Sequence, residues 1–373
     1  MSVTIRQSRR AAFHPLTVAA VDRLTEDAVM LTFAVPRGLR PAFAFTAGQH
    51  LTVRLVGDST TELGEVRRSY SICSTPADLE NLGVLRVGVR EVVGGAFSRY
   101  ATTRLRAGDT VEVLPPLGRF TTALDPVRTR HYAAIVAGSG ITPVLSLVAS
   151  ALAAEPNSDF VVLYGNRTSA SVMFAEELAD LKDRYQHRLQ LVHVLSREPQ
   201  LSTLLSGRLD GQRLRDVLES TLVDAASVDE WFLCGPYEMV LDARAVLTER
   251  GVPDTAVKTE LFHVEETPVP VRVRAADEPV GPAATVTIML DGRESTFTMA
   301  RDERVLDAAL RVRGELPYAC KGGVCSTCRA KVIEGAVEMA RNYALEPAEV
   351  AAGYVLTCQS EPITERLVVD YDA

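Results

Sequence analysis

The chain has 373 residues, too many for one ordinary hydrophobic core, so its length implies two or three domains. Apolar residues at 47% and charged residues at 24% mark a globular chain and argue against disorder. A formal net charge of −8 argues against nucleic acid or an anionic membrane as the main partner, because both select basic surfaces, and would suit a basic protein partner.

No apolar run reaches the ~20 residues that span a bilayer. The first segment, "MSVTIRQSRRAAFHPLTVAAV", lacks an uninterrupted apolar core followed by a cleavage site, and His14 and Pro15 break the only candidate. The expected location is therefore the cytoplasm, which also keeps thiols reduced. There is no internal repeat.

Up to about residue 125 the chain reads as short strands with turn signals: "LTFAV", "HLTVRLVG", "RRSYSIC", "VLRVGVREV" and "DTVEVLPPLG". Alternation broken by Gly, Asp and Pro predicts a small antiparallel β-barrel over 1–125. From 126 to 263 the rhythm changes. The apolar strands "HYAAIVAG", "DFVVLYGN", "LQLVHVLS", "EWFLCGP" and "AVKTELFH" are separated by helical windows such as 142–154 and 236–249, which predicts a parallel α/β sheet. Residues 264–284, "VEETPVPVRVRAADEPVGPAA", have the composition of a semi-rigid linker. Beyond it, over 285–373, "TVTIMLDG" and "STFTMA" predict a hairpin and "RVLDAALRVRG" a short helix, ahead of a cysteine-bearing loop.

The first α/β strand runs into "AGSGITPV", with Gly138 and Gly140 in the turn, Thr142 as the expected helix N-cap and Pro143 at the first helical position. A pyrophosphate would rest on the exposed amides of such a helix start. A plain tight turn would carry the same letters, and the third glycine of the dinucleotide fingerprint is absent. The second strand ends in "LYGNRT", with Arg167 where an acid would bind a ribose hydroxyl, and the third ends in "SRE", offering Ser196 and Arg197. Singly each arginine reads equally well as a solvated loop residue; together they suit a 2′-phosphate and favour NADPH over NADH. Cys234 ends the fourth strand, where a thiol is ordinarily structural and functional only with a nicotinamide beside it.

"YACKGGVCSTCRAKV" places Cys320, Cys325 and Cys328 within nine positions, and Cys358 follows in "VLTCQ". Three ligands on one loop and a fourth far along the chain is the spacing of plant-type 2Fe-2S clusters. Gly322 and Gly323 would let the backbone turn its amides toward sulfur. Four cysteines also suit zinc, although zinc sites usually pair their ligands as two short-spaced knuckles. A disulfide framework is disfavoured in a chain this large with only Cys73 and Cys234 besides.

Taken in order, these motifs resemble the ferredoxin-NADP reductase-type flavoproteins with a plant-type ferredoxin fused at the C-terminus. The flavin motif Arg-x-Tyr-Ser reads here as Arg68, Ser69, Tyr70 and Ser71. The resemblance implies that Arg68 binds a flavin phosphate, Tyr70 packs on the isoalloxazine ring and Ser71 approaches flavin N5. It further implies a flavin-phosphate turn at Gly95, Ala96, Phe97 and Ser98, and nucleotide contacts at Gly235 and the other turn residues. Cys234 is implied near the hydride-donating carbon, making Tyr70, Ser71 and Cys234 the implied catalytic set. Phe262 in "ELFHVEE" stands where a residue near the ring would be.

The last domain, through "PYACKGGVCSTCRAKV" and "NYALEPAEVAAGYVLTCQ", is similar to the reductase subunits of phenylacetyl-CoA epoxygenases. These are described as FAD-dependent, NADPH-oxidising and partnered with a di-iron oxygenase. Plant ferredoxins usually carry Arg-Ala-Gly after the first cluster cysteine, whereas this chain has Lys321, Gly322 and Gly323, which implies a different partner surface. Phthalate-type reductases share the domain order, so FMN with NADH, serving another oxygenase, is the alternative. On either reading the flavin matches a two-electron hydride donor to a one-electron cluster.

Overall fold

The computed structural model describes residues 12–55, 65–220, 222–262 and 283–373. They fall into two compact units, one spanning 14–262 and the other containing 283–373. The linker expected at 264–284 lies outside the described residues except for Ala283 and Ala284, which already belong to a strand.

The first unit opens with β1 (His14–Thr25), β2 (Ala28–Ala34), β3 (His50–Leu55) and β4 (Val66–Ser71), followed by α1 (Pro76–Asn81), β5 (Val84–Arg90), α2 (Ala96–Thr103) and β6 (Thr110–Val113). The antiparallel sheet runs β4-β3-β6-β1-β2-β5. Its two edges meet through a bridge between Ile72 and Val87, which closes the sheet as a barrel and removes the exposed edges. Alternation along each strand buries Leu31, Phe33, Leu51, Val53, Leu85, Val87 and Val89 inside. Three elements were not expected. β1 has the longest run of any strand here but is interrupted by polar and small residues, α1 starts from the Thr75 capping box with Pro76 at its first position, and α2 occupies "AFSRYATT", which reads from sequence only as a turn.

β7 (His131–Ala137), α3 (Ile141–Ala154), β8 (Asp159–Asn166), α4 (Ala175–Arg184), β9 (Leu189–Leu195), α5 (Gly211–Glu219), β10 (Glu230–Cys234), α6 (Tyr237–Glu249) and β11 (Val257–Glu260) complete the unit. All pairings in the sheet β11-β10-β7-β8-β9 are parallel. The order reverses direction at β7, between β8 and β10, so the crevice at the carboxyl ends of β7 and β10 is the natural ligand position. One apolar core joins the two sheets: Ala28, Ala47, Cys73 and Phe120 pack with Tyr132, Ile141, Leu147 and Phe232. Ser146, inside α3, donates to the Ser74 carbonyl at 2.6 Å across this seam.

The second unit holds β12 (Ala283–Leu290), β13 (Arg293–Ala300), α7 (Val305–Leu310), β14 (Arg329–Glu334), β15 (Val337–Met339), α8 (Pro347–Ala351), β16 (Tyr354–Leu356), β17 (Ser360–Pro362) and β18 (Arg366–Asp370). The main sheet runs β13-β12-β18-β14-β16, with β12 and β18 parallel and the expected β12–β13 hairpin antiparallel. Helix α7 packs Val305, Leu306, Ala308 and Ala309 into a core with Val286, Ile288, Leu367 and Val369. This is the α+β arrangement in which one helix lies on a mixed sheet.

Candidate functional site

Strand alternation sorts the Arg-x-Tyr-Ser stretch of β4. Arg68 and Tyr70 lie on one face, and Arg67, Ser69 and Ser71 on the other. Arg67 is buried and pairs with Glu65 at 2.6 Å, while Arg68 is exposed and its guanidinium donates from Nη1 to the Arg67 carbonyl at 2.7 Å. Tyr70 packs against Phe97 of α2, ring centroids 5.3 Å apart and planes tilted by 40°. Burial pushes the Tyr70 phenol up, so it stays neutral and presents a ring face beside the barrel. Ser69 lies 3.3 Å from the Thr52 hydroxyl on the neighbouring strand.

The turn before α2 folds on itself. The Val92 amide donates to Ser98 Oγ at 3.1 Å and that hydroxyl donates to the Gly95 carbonyl at 3.2 Å. Ser98 is thus engaged within the turn. Gly95 caps α2 without a side-chain hydrogen bond, so the first amides of the helix, at Ala96 and Phe97, lack intrahelical acceptors and suit an anion.

On the α/β sheet the expected helix start is corrected. A 3₁₀ turn over Gly138–Gly140 runs straight into α3, whose first residue is Ile141 and whose N-cap is Gly140, already in the helical region at φ −60°. Thr142 is therefore inside the helix, where its hydroxyl donates to the Ser139 carbonyl at 2.8 Å, and Pro143 is the third helical residue. Proline is tolerated there because amides of the first turn have no intrahelical acceptor. Gly140 is demanded by packing: a Cβ would stand 2.1 Å from the carbonyl oxygen of Cys234. The glycine turn and the ends of β7 and β10 are in this way locked together, with Gly235 against Ala137 and Met239.

The ends of β8 and β9 continue side by side as loops, with the amides of Ser196 and Arg197 donating to the carbonyls of Asn166 and Arg167 at 2.9 and 2.7 Å. Arg167 and Arg197 are thereby neighbours. Arg197 is exposed, whereas Arg167 reaches Asp27 of the barrel at 3.2 Å. Asp27 also takes Arg90 at 2.8 Å. Burial would raise the Asp27 carboxyl, but the hydrogen bonds and charge of Arg90, with Thr25 and Arg167, hold it below its ordinary value.

The expected catalytic residues converge through one that sequence reading missed. Ser71, ending β4, donates to Glu260 Oε2 at 2.8 Å, and Glu260, ending β11, is the register partner of Cys234 on β10. Cys234 is fully buried, and burial and the Glu260 charge both push its thiol up, so it is a neutral group. Phe262 follows two residues beyond Glu260 and is 39% exposed, an aromatic side chain held open at the same strand end. An acid closing the fifth strand of a parallel sheet, in "TELF", was the available signal for Glu260.

In the second unit, Cys320 and Cys325 form one hydrogen-bonded sulfur pair, and Cys328 and Cys358 another. In each pair one sulfur is drawn down by the partner's hydrogen bond, Cys320 and Cys358, and its partner is pushed up. The Gly322 amide donates to Cys320 Sγ at 3.3 Å. Gln359 ties loop to strand, its Nε2 donating to the Lys321 carbonyl at 2.8 Å and lying 3.5 Å from Cys358 Sγ. The expected role of the two glycines divides. Gly323 is left-handed at φ +80° with Gln359 packed on it, whereas Gly322 has ordinary backbone and open space, and Lys321 and Ser326 supply the other left-handed turns. Two sulfur pairs suit two irons.

Comparison with known proteins agrees with this layout. An oxidoreductase FAD-binding domain matches residues 15–122, an oxidoreductase NAD-binding domain 134–245, and a 2Fe-2S iron-sulfur cluster binding domain 288–362. The chain is 47% identical over 362 residues to one of the subunits of the 1,2-phenylacetyl-CoA epoxidase of Escherichia coli K12, covering 97% of this chain and 98% of that one. It is 35% identical over 364 residues to the ferredoxin reductase component of the 3-ketosteroid-9-alpha-monooxygenase of Rhodococcus rhodochrous, covering 95% of this chain and 96% of that one. Among solved structures, phthalate dioxygenase reductase shares the fold with a TM-score of 0.59 at 22% identity, covering 96% of this chain and 98% of that one. An intact type IV self-sufficient cytochrome P450 monooxygenase does so at 0.64 and 22%, with 96% of this chain matched to 41% of that one. No helix among the described residues is long and apolar enough to cross a membrane. The chain belongs to the family of oxygenase reductase components, NAD(P)H oxidoreductases that carry FAD-binding, NAD-binding and 2Fe-2S domains in one polypeptide.

Proposed function

We propose that this protein oxidises NADPH and delivers single electrons to a di-iron oxygenase acting on phenylacetyl-CoA, in the cytoplasm. The observation that carries the partner and substrate is the 47% identity, across 97% of the chain, to part of a phenylacetyl-CoA epoxidase. FAD, when bound, supplies the exchange between a two-electron hydride donor and a one-electron cluster.

The chain's own groups would divide the work. Arg68 offers an exposed guanidinium fork for a flavin phosphate, assisted by the open amides at the start of α2. Tyr70, steadied by Phe97, offers a ring face to the isoalloxazine. Ser71 holds a proton at Oγ that it shares with Glu260, at the carboxyl edge of the parallel sheet where the nicotinamide would lie. The buried Cys234 thiol excludes water from that edge without adding charge. The turn at Gly138 and Gly140 would take the pyrophosphate, and Arg167, Ser196 and Arg197 the 2′-phosphate. Cys320 with Cys325, and Cys328 with Cys358, would each hold one iron.

The test is an anaerobic absorbance titration of the purified protein with NADPH and with NADH, followed by phenylacetyl-CoA turnover with the oxygenase component. Bleaching of both flavin and iron-sulfur bands, NADPH acting at lower concentration, and epoxide formation support the reading. Bleaching without epoxide would move the partner to another oxygenase. Preference for NADH would reassign Arg167, Ser196 and Arg197 as surface residues.

A further inference from the structure

At the seam between the barrel and the parallel sheet one carboxylate holds two arginines. Asp27 lies in the turn between β1 and β2, and its Oδ2 accepts from Arg90 Nε and Nη2 at 2.9 and 2.8 Å and from Arg167 Nη2 at 3.2 Å. Thr25 Oγ1 donates to the other oxygen, Oδ1, at 2.9 Å, and the Glu91 amide donates to the Asp27 carbonyl at 2.7 Å. Turn and carboxylate are thus fixed from the barrel side. Burial raises the carboxyl, but Arg90 and Thr25 hold it below its ordinary value, so it is ionised at neutral pH.

The two arginines are held unequally. Arg90 makes two short bonds and its side chain is 22% exposed, whereas Arg167 makes one longer bond and is 49% exposed. An ion pair that open to solvent is weak and parts readily. The Arg167 backbone need not follow, because its carbonyl is bonded to the Arg197 amide at 2.7 Å, so only the side chain has to swing. Glu198, an acid of the facing loop, is taken up by the amide and hydroxyl of Ser169 at 2.7 and 2.9 Å. Arg90 in turn stands over the glycine turn, where a Cβ on Gly138 would come 2.9 Å from its Nη1. A nucleotide laid across that turn therefore brings its phosphates up to an anion already in place.

We propose that Asp27 is the resident counter-ion of the nucleotide site: it parks Arg167 between turnovers and yields it to the 2′-phosphate of NADPH. The inference rests on the reading that Arg167 takes that phosphate. A carboxylate and a phosphate repel each other, so one exposed guanidinium serves one of them at a time. Binding NADPH exchanges one ion pair for another, and only the difference strengthens binding. NADH carries no 2′-phosphate and leaves Arg167 on Asp27. When NADP⁺ departs, Asp27 takes the arginine back, which speeds release. Asp27 is in this way a specificity-determining residue that acts through Arg167.

The experiment measures binding of NADP⁺ and NAD⁺ by calorimetry, and NADP⁺ release by stopped flow, in flavin-loaded, cluster-containing protein. Wild type is compared with Asp27→Asn, Arg167→Ala and the double variant. Asp27→Asn should bind NADP⁺ about fivefold tighter, the most that an exposed ion pair contributes, release it correspondingly more slowly, and bind NAD⁺ as wild type does. In the double variant the tightening should vanish, because no arginine is left to hand over. Unchanged or weaker NADP⁺ binding in Asp27→Asn, equal tightening of NAD⁺, or tightening that survives in the double variant would overturn the proposal while leaving the 2′-phosphate reading intact. If Arg167→Ala weakens both nucleotides alike, or neither, that reading fails and the parking role with it.

Discussion

The hydroxyl of Ser71 and the carboxylate of Glu260 meet at 2.8 Å although 189 residues separate them. One ends a barrel strand and the other the outermost strand of the parallel sheet. The contact joins the candidate flavin edge to the candidate nicotinamide edge, and every residue implied in hydride transfer lies within one side chain or one strand register of it.

Removing either partner should slow flavin reduction without emptying the flavin site. Ser71→Ala and Glu260→Gln are each expected to lower the rate of flavin bleaching by NADPH by about a hundredfold, as removal of a positioned proton-handling group does. Stopped-flow absorbance measures this. Because the two groups act as a unit, the double variant should lose little more than the worse single one.

Glycine at 140 is a packing requirement and should tolerate nothing larger. In Gly140→Ala the new methyl must clear a backbone oxygen that sits 2.1 Å from its position, and neither backbone can retreat freely. A loss of about 1–3 kcal/mol, the usual range for overpacking, should appear in urea unfolding, together with weaker binding of NADP⁺. Normal stability and binding would show that the turn yields to a methyl group after all.

The two glycines of the cluster loop should respond differently. Gly322→Ala meets nothing closer than 3.9 Å and should change stability by less than about 0.5 kcal/mol, keeping full iron content. Gly323→Ala forces a side chain into φ +80° against Gln359 and should cost about 1–2 kcal/mol, with iron lost on dilution. Iron and sulfide analysis alongside visible absorbance separates the two. Cys358→Ser should abolish the iron-sulfur bands while the flavin spectrum remains.

Asp27 should stabilise the fold in a pH-dependent way. Its carboxyl titrates lower folded than unfolded, so its contribution is present above the unfolded value and is lost as pH falls through the folded one. Asp27→Asn should therefore be less stable than wild type at neutral pH, by no more than about 1 kcal/mol for so exposed a pair, and the gap should close in strong acid. Unfolding midpoints at neutral and acid pH test this.

Nucleotide preference should follow the paired loops. Arg167→Ala and Arg197→Ala should each weaken NADPH binding by roughly tenfold or more, the value of a charge-assisted hydrogen bond, and change NADH binding little. Equal weakening of both nucleotides would place the arginines at the pyrophosphate instead.

Much of what depends on neighbours along the chain is legible in the sequence, although helix α2 and the start of α3 are not. Period-two alternation announced the barrel strands, buried apolar runs the parallel sheet, and Cys320, Cys325 and Cys328 the wrapping of one loop around sulfur ligands, because these patterns reflect local geometry. Tertiary structure decided what depends on closure. Only the barrel's edge-to-edge bridge and the order of the parallel strands bring Glu260 to Ser71 and tie Asp27 of the barrel to Arg167, 140 residues away. Arg67 and Arg68 adjoin in sequence, yet strand alternation and the closed barrel wall send one inward and leave the other in solvent. A carboxylate at a strand end carries no periodic signal, and its bond to Ser71 exists only once folding brings the two strand ends together and shields them from water.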